Sequence, residues 1–213
     1  MEDNSKKIFL SVLGVAILLV AVIGVSFAAF SYSGGGRENS IQSGSLTVNY
    51  VEAKQGIQID DALPMTVEAG KSLVGEKNTF SFSVSTKATG NKAINIPYVI
   101  TVTPDENNTL TNDQVMVYLA DGTGATGEGV SVVDPVKVSE LTAATGTRTG
   151  SFILKSVDTN NVTSTLKTDS YVLKMWIENS VDPDTFVDET GTAKSLTYKL
   201  KVNVDASADY LTK

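Results

Sequence analysis

Residues 196–204 read LTYKLKVNV, and this stretch decides the predicted fold of the chain. Leu196, Tyr198 and Leu200 alternate with other residues, and Val202 and Val204 continue the same spacing. A period of two places the apolar side chains on one face of a β-strand and the intervening ones on the other. The stretch therefore predicts a half-buried strand whose outer face carries two lysines and an asparagine.

Similar patterns recur along the chain before this strand. Strands are also predicted at residues 46–50, 80–84, 94–102, 115–119, 152–154 and 171–177. Segments rich in Gly, Asp and Pro separate them and indicate turns. With these strands we expect eight or nine short strands in all. That number predicts an all-β fold, an antiparallel β-sandwich of jelly-roll type, with an immunoglobulin-like sandwich as the alternative.

Two places in the body depart from the simple strand pattern. The stretch 94–102 is apolar on both faces and contains Pro97, which cannot donate to a ladder, so this strand is expected to be an edge, bulged or broken there. No longer segment of the body has a convincing helical period. One short helical turn is expected at residues 138–143.

The chain begins with a membrane-targeting segment. Residues 8–30 carry no charge, Lys6 and Lys7 precede them, and small residues including Ala28 and Ala29 end the run. The length suffices to span a bilayer, and the lysines favour a cytoplasmic N-terminus. These features predict an N-terminal hydrophobic signal peptide that is cleaved, or a transmembrane helix that anchors the body outside the cell.

The composition changes mark three regions. Residues 1–29 are the predicted signal peptide or anchor, residues 30–44 a flexible, Gly-rich segment containing three consecutive glycines, and residues 45–213 the β-sandwich domain. We expect the protein to be extracellular or at the cell surface, and membrane-associated if the leader is retained.

The composition also limits the chemistry. The chain has no His and no Cys, and its net charge is −7. Cys–His and Ser–His–Asp arrangements and His/Cys zinc sites are therefore excluded, and the core must hold without disulfides. An acidic body without a basic cluster argues against nucleic acid as a partner. We expect no enzymatic activity, no cofactor and no metal, although carboxylate pairs of the glycosidase kind stay open.

Acidic residues form one candidate metal site. Asp182, Asp184, Asp188 and Glu189 lie in a short loop, and oxygen ligands at such spacing can hold Ca²⁺. The loop lacks the EF-hand frame, so a solvated connection between strands is the simpler interpretation.

Three further features have both a functional and a structural interpretation. The adjacent carboxylates Asp60–Asp61 and Asp105–Glu106 fit a catalytic pair only if they face a groove, and surface turns are the simpler interpretation. Trp176 is the only tryptophan and shares a strand face with Lys174 and Glu178. It is interpreted either as an exposed aromatic that binds a sugar or a partner, or as a partly buried residue that covers the sheet edge.

The junction after the leader carries a family resemblance. Phe27-Ala28-Ala29-Phe30, followed by Ile41-Gln42-Ser43-Gly44-Ser45-Leu46, resembles the TasA/camelysin family of exported bacterial biofilm-fibre proteins. The resemblance covers about 20 residues closely, with a compatible all-β body behind them.

The resemblance implies a jelly-roll subunit of an extracellular fibre or biofilm matrix. A dedicated signal peptidase would cleave between Ala29 and Phe30, and the new N-terminal segment would add a strand to the next subunit. Phe30, Tyr32 and Ile41 would be the contact residues of that strand. The partners implied are other copies of the chain or other surface and matrix proteins. A metalloprotease branch exists in the family, but this chain has no His to carry that activity. The alternative function is a membrane-anchored extracytoplasmic binding module for a glycan or a protein.

Overall fold

The computed structural model of the chain describes residues 44–50, 56–60, 63–75, 78–90, 92–158, 161–187, 189–192 and 194–205. Within these residues the secondary structure is almost entirely β. The strands are β1 (Gly44–Tyr50), β2 (Gly56–Asp60), β3 (Pro64–Met65), β4 (Thr79–Ala88), β5 (Tyr98–Pro104), β6 (Val115–Asp121), β7 (Ser131–Lys137), β8 (Thr142–Ala143), β9 (Phe152–Val157), β10 (Lys167–Glu178) and β11 (Thr197–Asp205). One short α-helix, α1 (Val67–Lys71), and four 3₁₀ turns complete the described elements; the turns are Gly122–Ala125, Val138–Glu140, Gly146–Arg148 and Pro183–Phe186.

The strands form two sheets. The first has the order β1-β4-β10-β6-β7, and β3 pairs in parallel with the end of β10. The second has the order β2-β11-β5-β9-β8. Every strand pair apart from β3–β10 is antiparallel. The all-β prediction is confirmed, and eleven strands are described where eight or nine were expected.

The main hydrophobic core lies between the sheets. Phe80, Phe82 and Val84 of β4 contribute from the first sheet, and Tyr198 and Leu200 of β11 contribute from the second. All five side chains are buried, and they belong to one continuous cluster. The period-two pattern that predicted the last strand therefore identified its core face correctly, because alternate side chains of a strand point to opposite faces.

Pro97 breaks its segment. Strand β5 begins only at Tyr98, and Ile94 instead forms an isolated bridge with Val162. The expected break at Pro97 is confirmed and the expected edge position is wrong. The expected bulge is not at Pro97, although the register of β5 with β9 shifts further along, between Ile100 and Thr101. Strand β5 lies between β11 and β9, inside the second sheet. Pro97 does not prevent this position, because it precedes the first paired residue of the strand.

Short elements account for what the sequence patterns missed. Helix α1 has five residues, too few to show a 3.6 period, and begins at the Thr66 N-cap, whose side chain accepts from the Ala69 N–H. Strand β7 contains Pro135, which hides its strand pattern. The helical turn expected at 138–143 is a 3₁₀ turn at Val138–Glu140, followed by strand β8.

Candidate interaction site

The outer strands of the two sheets differ in how they are protected against pairing with another chain. Strand β7 carries Asp134, Pro135 and Lys137, and its register with β6 shifts twice. Strand β8 has two residues, and strand β2 has five, of which Gln58 and Asp60 are exposed. Short length, charge, proline and irregular register are the usual means by which edge strands avoid aggregation.

Strand β1 lacks these protections. Its sequence, GSLTVNY, contains neither a charge nor a proline. It pairs with β4 without a register shift from Gly44–Ala88 to Tyr50–Phe82. Among the described residues, no strand pairs with its other side. This edge can therefore accept an added strand through its main-chain hydrogen-bonding groups.

The outer face of the first sheet is a second unusual feature. Val172, Lys174 and Trp176 point away from the main core on β10, yet each is at most 1% exposed. Two segments cover these side chains. The first is residues 66–74, which contain helix α1, and the second is residues 122–130, which contain the 3₁₀ turn Gly122–Ala125. We call the two segments together the cover. Both faces of β10 are therefore buried over residues 171–177, as are both faces of the neighbouring β6.

Lys174 connects the sheet to both segments of the cover. Its Nζ donates to the Lys71 carbonyl oxygen at 2.8 Å and also to the Gly127 carbonyl oxygen. Its side chain is fully buried, and no salt bridge to it is found among the described residues. Burial lowers the pKa of the Lys174 ammonium, because the charged form loses its hydration.

Trp176 lies beneath helix α1. It packs in a small cluster with Met116, Tyr118 and Ala120, separate from the main core. A Cβ added at Gly70 would overlap the indole ring, so the helix approaches this closely only because residue 70 is glycine. The indole Nε1 is buried, and it has no hydrogen-bond partner among the residues that the structure describes. The interpretation of Trp176 as an exposed or edge-covering aromatic is therefore wrong.

The two segments of the cover also bind each other. Lys71 of the first forms a salt bridge with Glu128 of the second. The Lys71 ammonium also lies 5.7 Å from the centre of the Tyr118 ring, within reach of a cation–π interaction. Four glycines at positions 122, 124, 127 and 129 let the second segment fold tightly, and a Cβ at Gly129 would overlap Gly124. That glycine spacing is the sequence signal from which a close-packed loop could have been predicted.

Of the two carboxylate pairs considered for catalysis, the three described members lie on the surface. Asp60 is exposed at the end of β2 and accepts from the Gln58 Nε2 at 2.8 and 2.6 Å, and Asp61 lies outside the described residues. Asp105 and Glu106 are exposed in the turn after β5. The Asn107 backbone N–H donates to Asp105 at 2.9 Å and lowers its pKa, which is the ordinary chemistry of an Asx turn.

The acidic loop is only partly described. Asp182 and Glu189 are exposed, Asp184 falls in the Pro183–Phe186 turn, and Asp188 lies outside the described residues. Within the described part of the chain, no three His, Cys, Asp or Glu residues converge on one point as metal ligands would.

The predicted processing and contact residues lie in the N-terminal region. Ala29, Phe30, Tyr32 and Ile41, like the whole hydrophobic leader, fall outside the described residues. None of the helices in the described part of the chain has the length and apolar character that crossing a membrane requires.

Comparison with known proteins adds no family. No protein-family model matches the chain, and no curated protein matches it either. The fold and its surfaces define an all-β domain with two packed sheets. Its distinguishing features are the edge of β1 and the cover over β10.

Proposed function

We propose that this protein is an exported structural subunit that associates with other copies of itself at the cell surface, as a component of an extracellular fibre or biofilm matrix. The observation that carries the proposal is the edge of β1. Its seven uncharged residues pair in continuous register, which makes it the least protected of the four outer strands described. Strand β7 has the same length but carries charges, a proline and two register shifts.

The strand proposed to bind this edge comes from the segment immediately upstream. Residues 30–41 contain Phe30, Tyr32 and Ile41, apolar residues able to anchor an added strand, and only two residues separate this segment from Gly44. A segment donated by one copy to the β1 edge of the next makes a head-to-tail contact, which builds a fibre when its geometry does not close into a ring.

The jelly-roll topology and the export of the chain belong to the same proposal. Strands β1, β4 and β6 lie in the first sheet, whereas β2, β5 and β9 lie in the second, so that the chain crosses repeatedly between the sheets. Such crossing is typical of a jelly roll. The uncharged run at 8–30 supports export with cleavage between Ala29 and Phe30. These features match what the resemblance to the TasA/camelysin family implies.

Substitution in the donated segment tests the association. We expect Ile41→Asp to abolish sedimentable polymer, because a carboxylate would have to be buried at the subunit contact. Gln42→Asp is the matched control, since it adds the same charge without removing an apolar anchor. Both variants are compared by sedimentation at increasing protein concentration and by thermal unfolding. If the two variants polymerise equally, the contact lies elsewhere.

Analysis of the mature protein distinguishes the proposal from its alternative. A chain that begins at Phe30, recovered from the medium or the cell surface and partly polymeric, is the expected result of mass measurement and N-terminal sequencing. A chain that keeps Met1 and is found only in membranes would instead make it an anchored binding module.

A further inference from the structure

We propose that the cover opens as one unit over the outer face of the first sheet while both sheets stay folded, and that Lys174 is the latch that holds it closed. The cover consists of residues 66–74 and 122–130. Opening it would expose Trp176, Tyr118 and Met116, which now form a closed apolar cluster on that face.

The position of Lys174 supports its role as a latch. One ammonium group donates to a carbonyl oxygen in each segment, at Lys71 and at Gly127. The salt bridge between Lys71 and Glu128 then joins the segments to each other. Loss of the Lys174 contacts would therefore release two segments that are already linked, so both should open together.

The hinge of the second segment is also visible. Val130 at its end donates its N–H to the Asp121 carboxylate at 3.0 Å and accepts from the Asp121 N–H at 2.9 Å. These bonds close the base of the loop at the end of β6. Residues 122–129 can move without breaking the hydrogen bonds between β6 and its neighbouring strands, because β6 ends at Asp121.

Opening restores water to groups that the closed state leaves poorly solvated. The Lys174 ammonium is buried against carbonyl oxygens without an ion-pair partner among the described residues, and the Trp176 indole N–H has no partner. Buried groups of these kinds carry a large desolvation cost. Helix α1 has five residues and is too short to be stable by itself.

The outer surface of the cover adds little to holding it shut. Val67, Val74 and Val130 are 41%, 56% and 65% exposed, so these apolar side chains contribute little burial in the closed state. Leu73 is the side chain of the cover that packs, partly buried, against the Trp176 cluster. A segment that contributes so few apolar side chains of its own is the kind that opens at a free energy below that of global unfolding.

Hydrogen exchange and the single tryptophan test the opening in the intact protein. We expect the amides of 66–74 and 122–130 to exchange at least 100-fold faster than those of the β4–β10–β6 ladder, with opening constants that agree within threefold. Acrylamide quenching of Trp176 should report the same opening, since no other tryptophan exists in the chain. The proposal would be overturned if the amides of the cover exchanged as slowly as those of the ladder. It would also be overturned if the opening constants of the two segments differed more than tenfold.

Lys174→Met tests the latch. We expect protection in both segments to fall at least tenfold while the ladder of the first sheet keeps its protection. Lys199→Met is the matched control, because Lys199 is exposed on β11 and its loss should leave the cover unchanged. Unchanged or increased protection in either segment of Lys174→Met would show that Lys174 is not the latch.

Gly70→Ala tests whether the two segments of the cover open together, and it does so without changing Lys174. The added Cβ overlaps the Trp176 ring and pushes helix α1 away from the sheet. Because the segments are linked, we expect residues 122–130 to lose protection together with 66–74. Loss confined to 66–74 would contradict opening as one unit, even if Lys174→Met did not fold.

Discussion

Tyr98 links the two sheets through hydrogen bonds of its side chain. It belongs to β5 of the second sheet, and its hydroxyl lies 2.6 Å from that of Tyr171 and donates to Asp169 Oδ2 at 3.0 Å. Both partners belong to β10 of the first sheet. Tyr98 is fully buried, and burial together with its Tyr171 hydrogen bond raises its pKa. A polar link thus crosses the otherwise apolar interface.

Removal of the Tyr98 hydroxyl should destabilise the domain. Tyr98→Phe loses two hydrogen bonds and leaves the Tyr171 hydroxyl buried with one partner fewer, so we expect a loss of about 1–3 kcal/mol in the free energy of unfolding. Tyr118→Phe is the control, because its hydroxyl bonds the Gly129 carbonyl oxygen at a long 3.4 Å, and we expect about 0.5 kcal/mol there. Urea unfolding measures both. Equal losses of unfolding free energy in the two variants would show that the Tyr98 hydrogen bonds stabilise the domain no more than the Tyr118 hydrogen bond does.

At the scale of elements, an arginine fixes the end of the last described strand. Arg148, in the Gly146–Arg148 turn before β9, donates to both carboxylate oxygens of Asp205 through Nε and Nη2, each at 2.8 Å. Asp205 ends β11, which lies two strands away from β9 in the sheet. The bidentate pair therefore joins the turn to a distant part of the second sheet.

A double-mutant cycle should detect this connection. Arg148→Gln and Asp205→Asn are expected to show a coupling of about 1 kcal/mol, because the pair is bidentate and only partly exposed. The pair Lys137–Glu178 is separated by 3.7 Å and provides the control, with an expected coupling near 0.3 kcal/mol. A coupling at Arg148–Asp205 no larger than the control would show that the turn does not depend on this pair.

For the whole molecule, the ionisable groups predict how stability varies with pH. The chain has no His, and so none of its side chains has an ordinary pKa between about 5 and 8. Folding lowers the pKa of several carboxyl groups; for Asp121 the main cause is the hydrogen bond from the Thr123 side chain. Folding raises the pKa of the buried Tyr98, Tyr171 and Tyr198 through loss of hydration.

The unfolding free energy should therefore be constant from about pH 6 to 8 and fall on both sides. Below about pH 4 the unfolded chain binds more protons than the folded one at the carboxyl groups whose pKa folding lowers, so acid favours unfolding. Above about pH 10 the unfolded tyrosines release protons that the folded ones keep, so alkali also favours unfolding. Lys174 opposes this alkaline loss, because its lowered pKa lets the folded state lose a proton first.

Urea unfolding at pH values from 3 to 11 measures this profile. Repeating it with Asp121→Asn should reduce the acid dependence, since the amide cannot titrate. A steep change between pH 6 and 8 would contradict the prediction, because no side chain of this composition has an ordinary pKa in that range.

The fold class and much of the core could be predicted from the alternation of apolar residues along the chain. Alternation at 196–204 placed Tyr198 and Leu200 in the main core, because the period of a strand leaves one choice of face. The same kind of pattern did not predict the full burial of Trp176 and Lys174 on β10. Alternation identifies two faces but not what covers the second one.

The features on which the proposals rest depend on contacts that the sequence pattern does not reveal. Chain-distant segments at 66–74 and 122–130 meet at Lys174 and through the Lys71–Glu128 salt bridge, and no local pattern encodes such a meeting. Likewise, β1 and β7 are both strands locally, and their edge positions follow from the order of pairing in the sheet. Local sequence fixes backbone period and turn chemistry, whereas burial and edge exposure depend on contacts between residues far apart in the chain.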